Sequence, residues 1–308
     1  MTSQTSIHAY GEQVYRVPLP VPIDGFEDFI SAWVHTADPV CVIDPGPAVS
    51  GSVLLAALDE LGVNRLDFIL LTHIHIDHAG GVRALSDAFP EAPVVCHPKG
   101  IVHVADPERL WQGSLKTLGR IAQAYGPIEP VPQERLCAAD RLRSESLTAV
   151  PTPGHAAHHF SYLLNNSILF AGEAGGNCLP FGDGGCYLRP ATPPRFFLDT
   201  HLQSLDRLIV LNPERICYGH VGMQTGARRL LEAHRDQLLR WERLIRPFVI
   251  APSEDEAAAM AACRDHLLRC DPLLAGFASL PAAVQERERG FIINSIKGYW
   301  GYLTRNSA

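Results

Sequence analysis

Short apolar runs bounded by turn residues open the chain. Gln13 to Val17, Phe29 to His35 and Val40 to Ile43 read as strands, and the third ends in Asp44-Pro45-Gly46-Pro47, a strong turn signal. That pattern predicts an opening β-meander. Val53 to Leu61 then carries helical spacing and stops at Gly62, whereas Phe68 to Thr72 is a continuous apolar run, as expected of a buried strand. Another strand is predicted at Val94 to His97. Beyond it, Asp106-Pro107-Glu108 predicts a helix start, with Asp106 as the cap and Pro107 in the first helical position. This helix is expected to run to Tyr125 with Trp111, Leu115, Leu118, Ala122 and Tyr125 on one stripe, and to stop at Gly126-Pro127. Packing is the favoured role for Trp111.

Strands return at Leu147 to Pro151, Phe160 to Leu164, Ser167 to Ala171 and Arg215 to Tyr218, with Asn165-Asn166 as a hairpin turn. Ala227 to Arg246 reads as a long helix with Leu230, His234, Leu238, Trp241 and Ile245 on one face, and the chain stays helix-rich after Pro247 and Pro252. Alternating strands and helices indicate a layered α/β domain. A soft boundary falls near residue 225, dividing a domain at 1–225 from a helical extension at 226–308. The extension's amphipathic helices could pair with another subunit as readily as pack on the core. No internal repeat supports a solenoid.

Composition narrows the classes. The chain has 308 residues, 46% hydrophobic and 19% charged, which is ordinary for one or two soluble domains. A formal charge of −7 and a pI near 6.0 give no basic field, so nucleic acid is not an expected partner. No run reaches the roughly 20 apolar residues that span a bilayer. Met1 to Val17 lacks the cationic start and apolar stretch of a secretory leader, so the expected location is cytoplasmic. Cys41, Cys96, Cys137, Cys178, Cys186, Cys217, Cys263 and Cys270 form no CxxC pair and are expected to be reduced, mostly as small buried hydrophobes.

The chemistry concentrates in Thr72-His73-Ile74-His75-Ile76-Asp77-His78, directly after an apolar strand and before Ala79-Gly80-Gly81. Imidazole and carboxylate suit zinc, iron or manganese. Two residues apart on extended backbone, His73 and His75 can point the same way, and Asp77 and His78 in the following turn can face a second ion.

This segment matches the HxHxDH signature of the metallo-β-lactamase superfamily, and the chain resembles that family over roughly residues 10 to 225. Asp44-Pro45-Gly46 looks like its early aspartate turn, Pro153-Gly154-His155 its next histidine, Phe170-Ala171-Gly172-Glu173 its bridging-acid strand, and Tyr218-Gly219-His220 its final histidine. The resemblance implies a four-layer αββα sandwich, two facing β-sheets between outer helices, with the site at one edge. It also implies that His73, His75 and His155 bind one metal, that Asp77, His78 and His220 bind the other, and that Glu173 bridges them. The family usually has aspartate at the bridging position, and Glu173 is one methylene longer. His159 resembles the second member of a paired-histidine turn and, with Asp44, is a candidate to orient ligands from behind. His8, His35, His97, His103, His158, His201, His234 and His266 fall on no ligand position.

Two divalent ions, zinc first and iron or manganese next, would activate water and polarise a carbonyl or phosphoryl oxygen. No GxSxG elbow competes. The expected function is metal-assisted hydrolysis of a thioester or other small ester, with Asp77 as a ligand that also orients the attacking water. An iron-dependent oxidoreductase and a metal-holding effector with little turnover are the alternatives. Gly175 to Pro194, rich in Gly and Pro, predicts a long active-site loop in which Tyr187 and Arg189 are candidates for substrate contact and Asp183 is a turn residue. The tail resembles the plan of the glyoxalase II branch, which appends helices to its thioester pocket. Arg287, Arg289, Lys297, Tyr299 and Trp300 could meet an anionic substrate tail there, although a charged helix face packed by aromatics is the commoner meaning.

Overall fold

The computed structural model describes residues 6–181, 185–249 and 255–306. Its first sheet runs in chain order through β1 (His8–Ala9), β2 (Val14–Leu19), β3 (Ile30–His35), β4 (Cys41–Ile43), β5 (Phe68–Leu70), β6 (Val94–Cys96) and β7 (Leu136–Ala138). β1 to β4 pair antiparallel and β4 to β7 parallel. The second sheet contains β8 (Leu147–Pro151), β9 (Phe160–Leu164), β10 (Ile168–Gly172), β13 (Arg215–Tyr218) and β14 (Met223–Thr225), with β10 and β13 parallel. Between the last two stands a separate hairpin, β11 (Asn177–Phe181) and β12 (Gly185–Arg189).

Strand side chains alternate between two buried environments, which is why the strands read as unbroken apolar runs. Ile43, Leu70 and Val95 of the first sheet meet Tyr162, Leu164, Ile168 and Phe170 of the second in a core between the sheets. Their neighbours Val42, Ile69 and Val94 face outward, against α1 (Gly51–Glu60) and α3 (Val82–Ala88). Leu163, Leu169 and Ile216 face the opposite way, toward α7 (Leu198–Leu211), α8 (Ala227–Ile245), α9 (Glu256–Cys270) and α10 (Ala282–Asn306). The expected αββα layering is present, with the C-terminal helices buried in the same cluster as the second sheet.

Several local expectations need correction. The stretch from Asp106 to Tyr125 is two helices, α5 (Glu108–Leu118) and α6 (Arg120–Tyr125), because Gly119 takes φ 56°. That region is open to glycine, so the apolar stripe continues across a break. Asp106 is not the N-cap of α5, a position Pro107 takes; it is the C-cap of α4 (Pro98–Ala105), its amide bonding the Val102 carbonyl. Gly175 to Pro194 is not one irregular loop, since β11 and β12 occupy its middle; Gly182, Asp183 and Gly184 lie outside the described residues, as do Met1 to Thr5 and Pro252. The all-reduced expectation also fails at one pair. Hairpin pairing brings Cys178 and Cys186 to a Cα separation of 5.9 Å, inside disulfide range, and they are joined. Cys41, Cys96, Cys137, Cys217, Cys263 and Cys270 are free. Helix α7 and the short α2 (Ile76–Ala79) were not predicted. The Asn165-Asn166 turn has both residues at positive φ, as a two-residue hairpin of this type requires.

Candidate metal centre

Five strands deliver their C-terminal ends to one edge of the sandwich, and the chemistry gathers there. β4 ends at Asp44, β5 leads into His73 to His78, β8 into His155, β10 into Glu173 and β13 into His220. The parallel pairing of β10 with β13 puts Glu173 and His220 side by side. Two groups result, each with ligand atoms close enough to share a cation: His73, His75, His155 and Glu173 in one, Asp77, His78 and His220 in the other.

The Glu173 carboxylate lies between them. Its Oε2 is 2.8 Å from His155 Nε2, 3.7 Å from His73 Nε2 and 3.9 Å from His78 Nε2. Its Oε1 is 3.4 Å from His220 Nε2. Asp77 Oδ2 stands 3.7 Å from His220 Nε2 and 3.8 Å from His78 Nε2. His75 Nδ1 and His155 Nε2 approach to 3.0 Å.

A second polar contact orients three of the histidines, His73, His78 and His155. His78 Nδ1 lies 2.9 Å from Asp44 Oδ2, and His155 Nδ1 lies 2.9 Å from the Ala191 carbonyl. Both oxygens only accept, so Nδ1 carries the hydrogen and Nε2 keeps its lone pair. Thr72 Oγ1 spends its hydrogen on Asp44 Oδ2 at 2.7 Å and can accept from His73 Nδ1 at 3.0 Å. The Nε2 atoms of His73 and His78 are left buried with no protein partner. Orphan lone pairs converging on carboxylates are the arrangement a divalent cation satisfies.

Charge points the same way. Burial opposes protonating His78, but Asp77, Asp44 and Glu173 outweigh it and raise the ring to about 9. Burial likewise opposes charging His155, and Glu173 outweighs it. Burial would raise Glu173, yet His155 and His220 hold it well below the usual carboxylate range. His73 and His75 are lowered by burial and by their histidine neighbours. Carboxylates that draw protons onto these rings would attract a cation in their place.

Strain and close packing support the cluster. Asp44 has φ 54° and Val221, directly after His220, has φ 69°, a conformation that a β-branched residue rarely adopts. Val221 is held by its amide to the Phe29 carbonyl at 2.9 Å and by Ser31 Oγ donating to its carbonyl at 2.9 Å. Gly172 has φ 56°, and a β-carbon there would come within 2.6 Å of His159 Nε2. His159 is not in either group. Its Nε2 accepts the Glu173 amide at 3.2 Å, so its Nδ1 donates to Thr152 Oγ1 at 2.8 Å, and the ring fixes the backbone of Glu173.

Above the cluster opens a cavity of about 320 Å³ lined by His75, Asp77, His155, Glu173 and His220. Arg109, Leu110, Ser114 and Leu118 of α5 form one wall, while Phe291, Asn294 and Ser295 of α10 form another. Arg189 lines the cavity, but Tyr187, expected beside it, does not. The Tyr187 ring is fully buried beside Phe277, although alternation places it, two residues before Arg189, on the same face of β12. Arg287 is also interior: it pairs with Glu288 and lies 3.9 Å from the Phe29 ring centroid, and Phe29 stacks on His220 at 4.2 Å. Tyr299 is likewise buried, its hydroxyl on the Leu238 carbonyl at 2.9 Å. Sequence reasoning missed Asn177, whose amide Nδ2 donates to Glu173 Oε1 at 3.2 Å. It also missed Phe29 and the α5 wall, for which no local motif gives a signal.

Comparison with known proteins agrees with this geometry. The family model described as the metallo-beta-lactamase superfamily matches residues 26–220. A metallo-beta-lactamase fold-containing protein of Sulfurisphaera tokodaii is 28% identical over 71% of this chain and 82% of its own length. A hydroxyacylglutathione hydrolase of Albidiferax ferrireducens is 30% identical over 65% of each chain. Among solved structures, an archaeal metallo-beta-lactamase superfamily protein from Sulfolobus tokodaii is similar with a TM-score of 0.66 and 22% identity, covering 94% of this chain and 98% of that one.

Proposed function

The chain belongs to the metallo-beta-lactamase superfamily, and on that premise we propose that it is a metal-dependent hydrolase of a small thioester or related ester. The observation that carries this reading is the convergence of His73, His75, His155, Asp77, His78 and His220 around one glutamate carboxylate, with buried nitrogens left unpartnered at the centre. Two divalent cations held there, zinc first, would supply Lewis acidity toward a carbonyl oxygen and lower the pKa of a water.

The protein's own groups do the rest. Glu173 has an oxygen toward each group and takes the bridging position in spite of its extra methylene. Asp77 lines the cavity beside His78 and His220, where it can accept a hydrogen bond from the attacking water and orient it. Asp44 and Thr72 keep His78 and His73 in the tautomers a metal needs. Asn177 steadies the Glu173 carboxylate. The cavity's size suits a small molecule, and hydrolase relatives acting on hydroxyacylglutathione favour a thioester.

Elemental analysis of purified wild type and Glu173→Asp, followed by a panel of thioesters, lactones and phosphodiesters, tests the proposal. About two metals per chain in both proteins, with thioester turnover in the metal-loaded enzyme, is the expected result. One metal in wild type rising to two in the aspartate variant would remove Glu173 as a bridge. A metal-loaded protein inert toward the whole panel would sink the hydrolase reading.

A further inference from the structure

Asn177 and Arg189 are direct partners across the β11–β12 hairpin, so their side chains share a face of it. Both line the cavity, and both are nearly fully buried, at 1% and 2% exposure. Each carries a polar atom with no protein partner: Oδ1 of Asn177 and Nη2 of Arg189. The other two nitrogens of Arg189 each make one hydrogen bond, Nε to Glu288 and Nη1 to the Pro190 carbonyl at 3.2 Å. Its guanidinium is held over the Phe291 ring at 4.7 Å. The side chain is therefore fixed, with one guanidinium nitrogen, Nη2, left without a protein partner.

The local charge is also unbalanced. Glu288 is the carboxylate paired with both Arg189 and Arg287, through a different oxygen for each. One carboxylate between two buried guanidiniums leaves a net positive charge, and Glu173 is already occupied by histidines. Burying a cation without a full complement of partners is costly unless something recovers it. A fixed guanidinium donor in a low-dielectric wall is suited to an anionic oxygen.

Position sets the reach. The Asn177 amide touches Glu173 and its cross-strand partner Arg189 lines the same cavity, so an anion on Arg189 sits in the pocket that opens on the cluster. We propose that Arg189, with Asn177 beside it, is an anion subsite for the acyl part of the substrate, which would be a short chain ending in a carboxylate. Asn177 Oδ1 remains open to a hydroxyl or amide donor along that chain. This assignment rests on the hydrolase reading of the neighbouring site and names the substrate class for it.

The test is calorimetric binding of succinate and butyrate to the zinc-loaded protein, because the two acids share a chain length and differ in the second carboxylate. Succinate is expected to bind at least tenfold more tightly to wild type, with the ratio falling to near one in Arg189→Gln. Equal affinities, no measurable succinate binding, or a preference that survives Arg189→Gln would each overturn the subsite and leave water as the partner of these groups. Should Arg189→Gln not fold, Arg189→Lys keeps a charge opposite Glu288 but withdraws the free Nη2 donor, and must lower the ratio at least threefold. Turnover of succinyl and butyryl thioesters of one thiol separates the two ideas. Failure to hydrolyse either counts against the hydrolase reading, while the binding ratio still decides the subsite.

Discussion

The floor of the cavity and the α5 wall are built on different principles. The floor histidines follow the C-terminal ends of β5, β8 and β13, His78 from the short α2, and His73, His78 and His155 are each turned by a second polar contact. Helix α5 contributes Arg109, Leu110, Ser114 and Leu118 to the same cavity, yet none of its residues is fully buried and it ends at the Gly119 break. Buried, multiply bonded groups resist local opening, whereas an exposed helix with few buried contacts opens cheaply. Metal chemistry is thus assigned to the rigid sheet edge and substrate fit to a surface that can adjust.

Removing a floor residue should have the largest effect. In His155→Ala both metal content and thioester turnover should fall, the latter by more than about 100-fold, since even groups that only support a ligand are worth roughly 10- to 100-fold. Full metal occupancy in that variant, measured by elemental analysis, would break the assignment of His155 to the floor.

Acid should weaken the support beneath the floor next. His201 donates Nε2–H to the Ala174 carbonyl at 2.9 Å, one residue beyond Glu173, and burial lowers its pKa from 6.5 to about 4. Its neighbour His234 is lowered to about 3, again by burial. In the unfolded chain both rings take up a proton near pH 6.5, while the folded protein keeps them neutral, so stability is full above that pH. It falls as pH drops, reaching a loss of about 3 kcal/mol for His201 by pH 4. Urea unfolding of wild type and His201→Gln across that window should give a shallower acid dependence in the variant. Identical slopes would exclude His201 as a source of it.

Asp44→Asn should be milder, because the ring of His78 survives and only its orientation and charge support are lost. Metal affinity is expected to drop roughly 10- to 100-fold in competition with a chelator. The smallest change belongs to the wall. Leu110→Ala should shift KM by less than about tenfold, as a partly buried leucine is worth only a kilocalorie or so, and should leave metal content untouched. A loss of metal in Leu110→Ala would erase the distinction between floor and wall.

The contrast also explains what could be read in advance. His73, His75, Asp77 and His78 lie within six residues, so residue chemistry alone nominated that cluster, whereas Asp44, His155, Glu173 and His220 were nominated by the resemblance to the metallo-β-lactamase superfamily. The apolar runs announced buried strands, and in the structure Ile69 and Leu70, or Leu169 and Phe170, face opposite cores; the two-sheet layering itself was implied by the resemblance. Tyr187 and Arg189 looked alike in sequence as polar members of one Gly- and Pro-rich stretch. Both fall on one face of β12, and only packing separated them, setting Tyr187 beside Phe277 and Arg189 in the cavity wall.

By itself, then, the sequence determined most of the apolar strands and the His73–His78 cluster with its suitability for a metal, since these depend on residue type and on local spacing, while the rest of the donor set was implied by the family resemblance. Only the tertiary structure decided which wall encloses the site, that Asn177 touches Glu173, that Phe29 stacks on His220 and that Arg189 keeps a free donor beside the cluster. Those contacts join positions as far apart as Phe29 and His220, or Arg189 and Glu288. They exist only once hydrophobic burial has stacked the sheets and laid the helices against them, and that burial, being non-directional, does not mark in the chain which distant residues will meet.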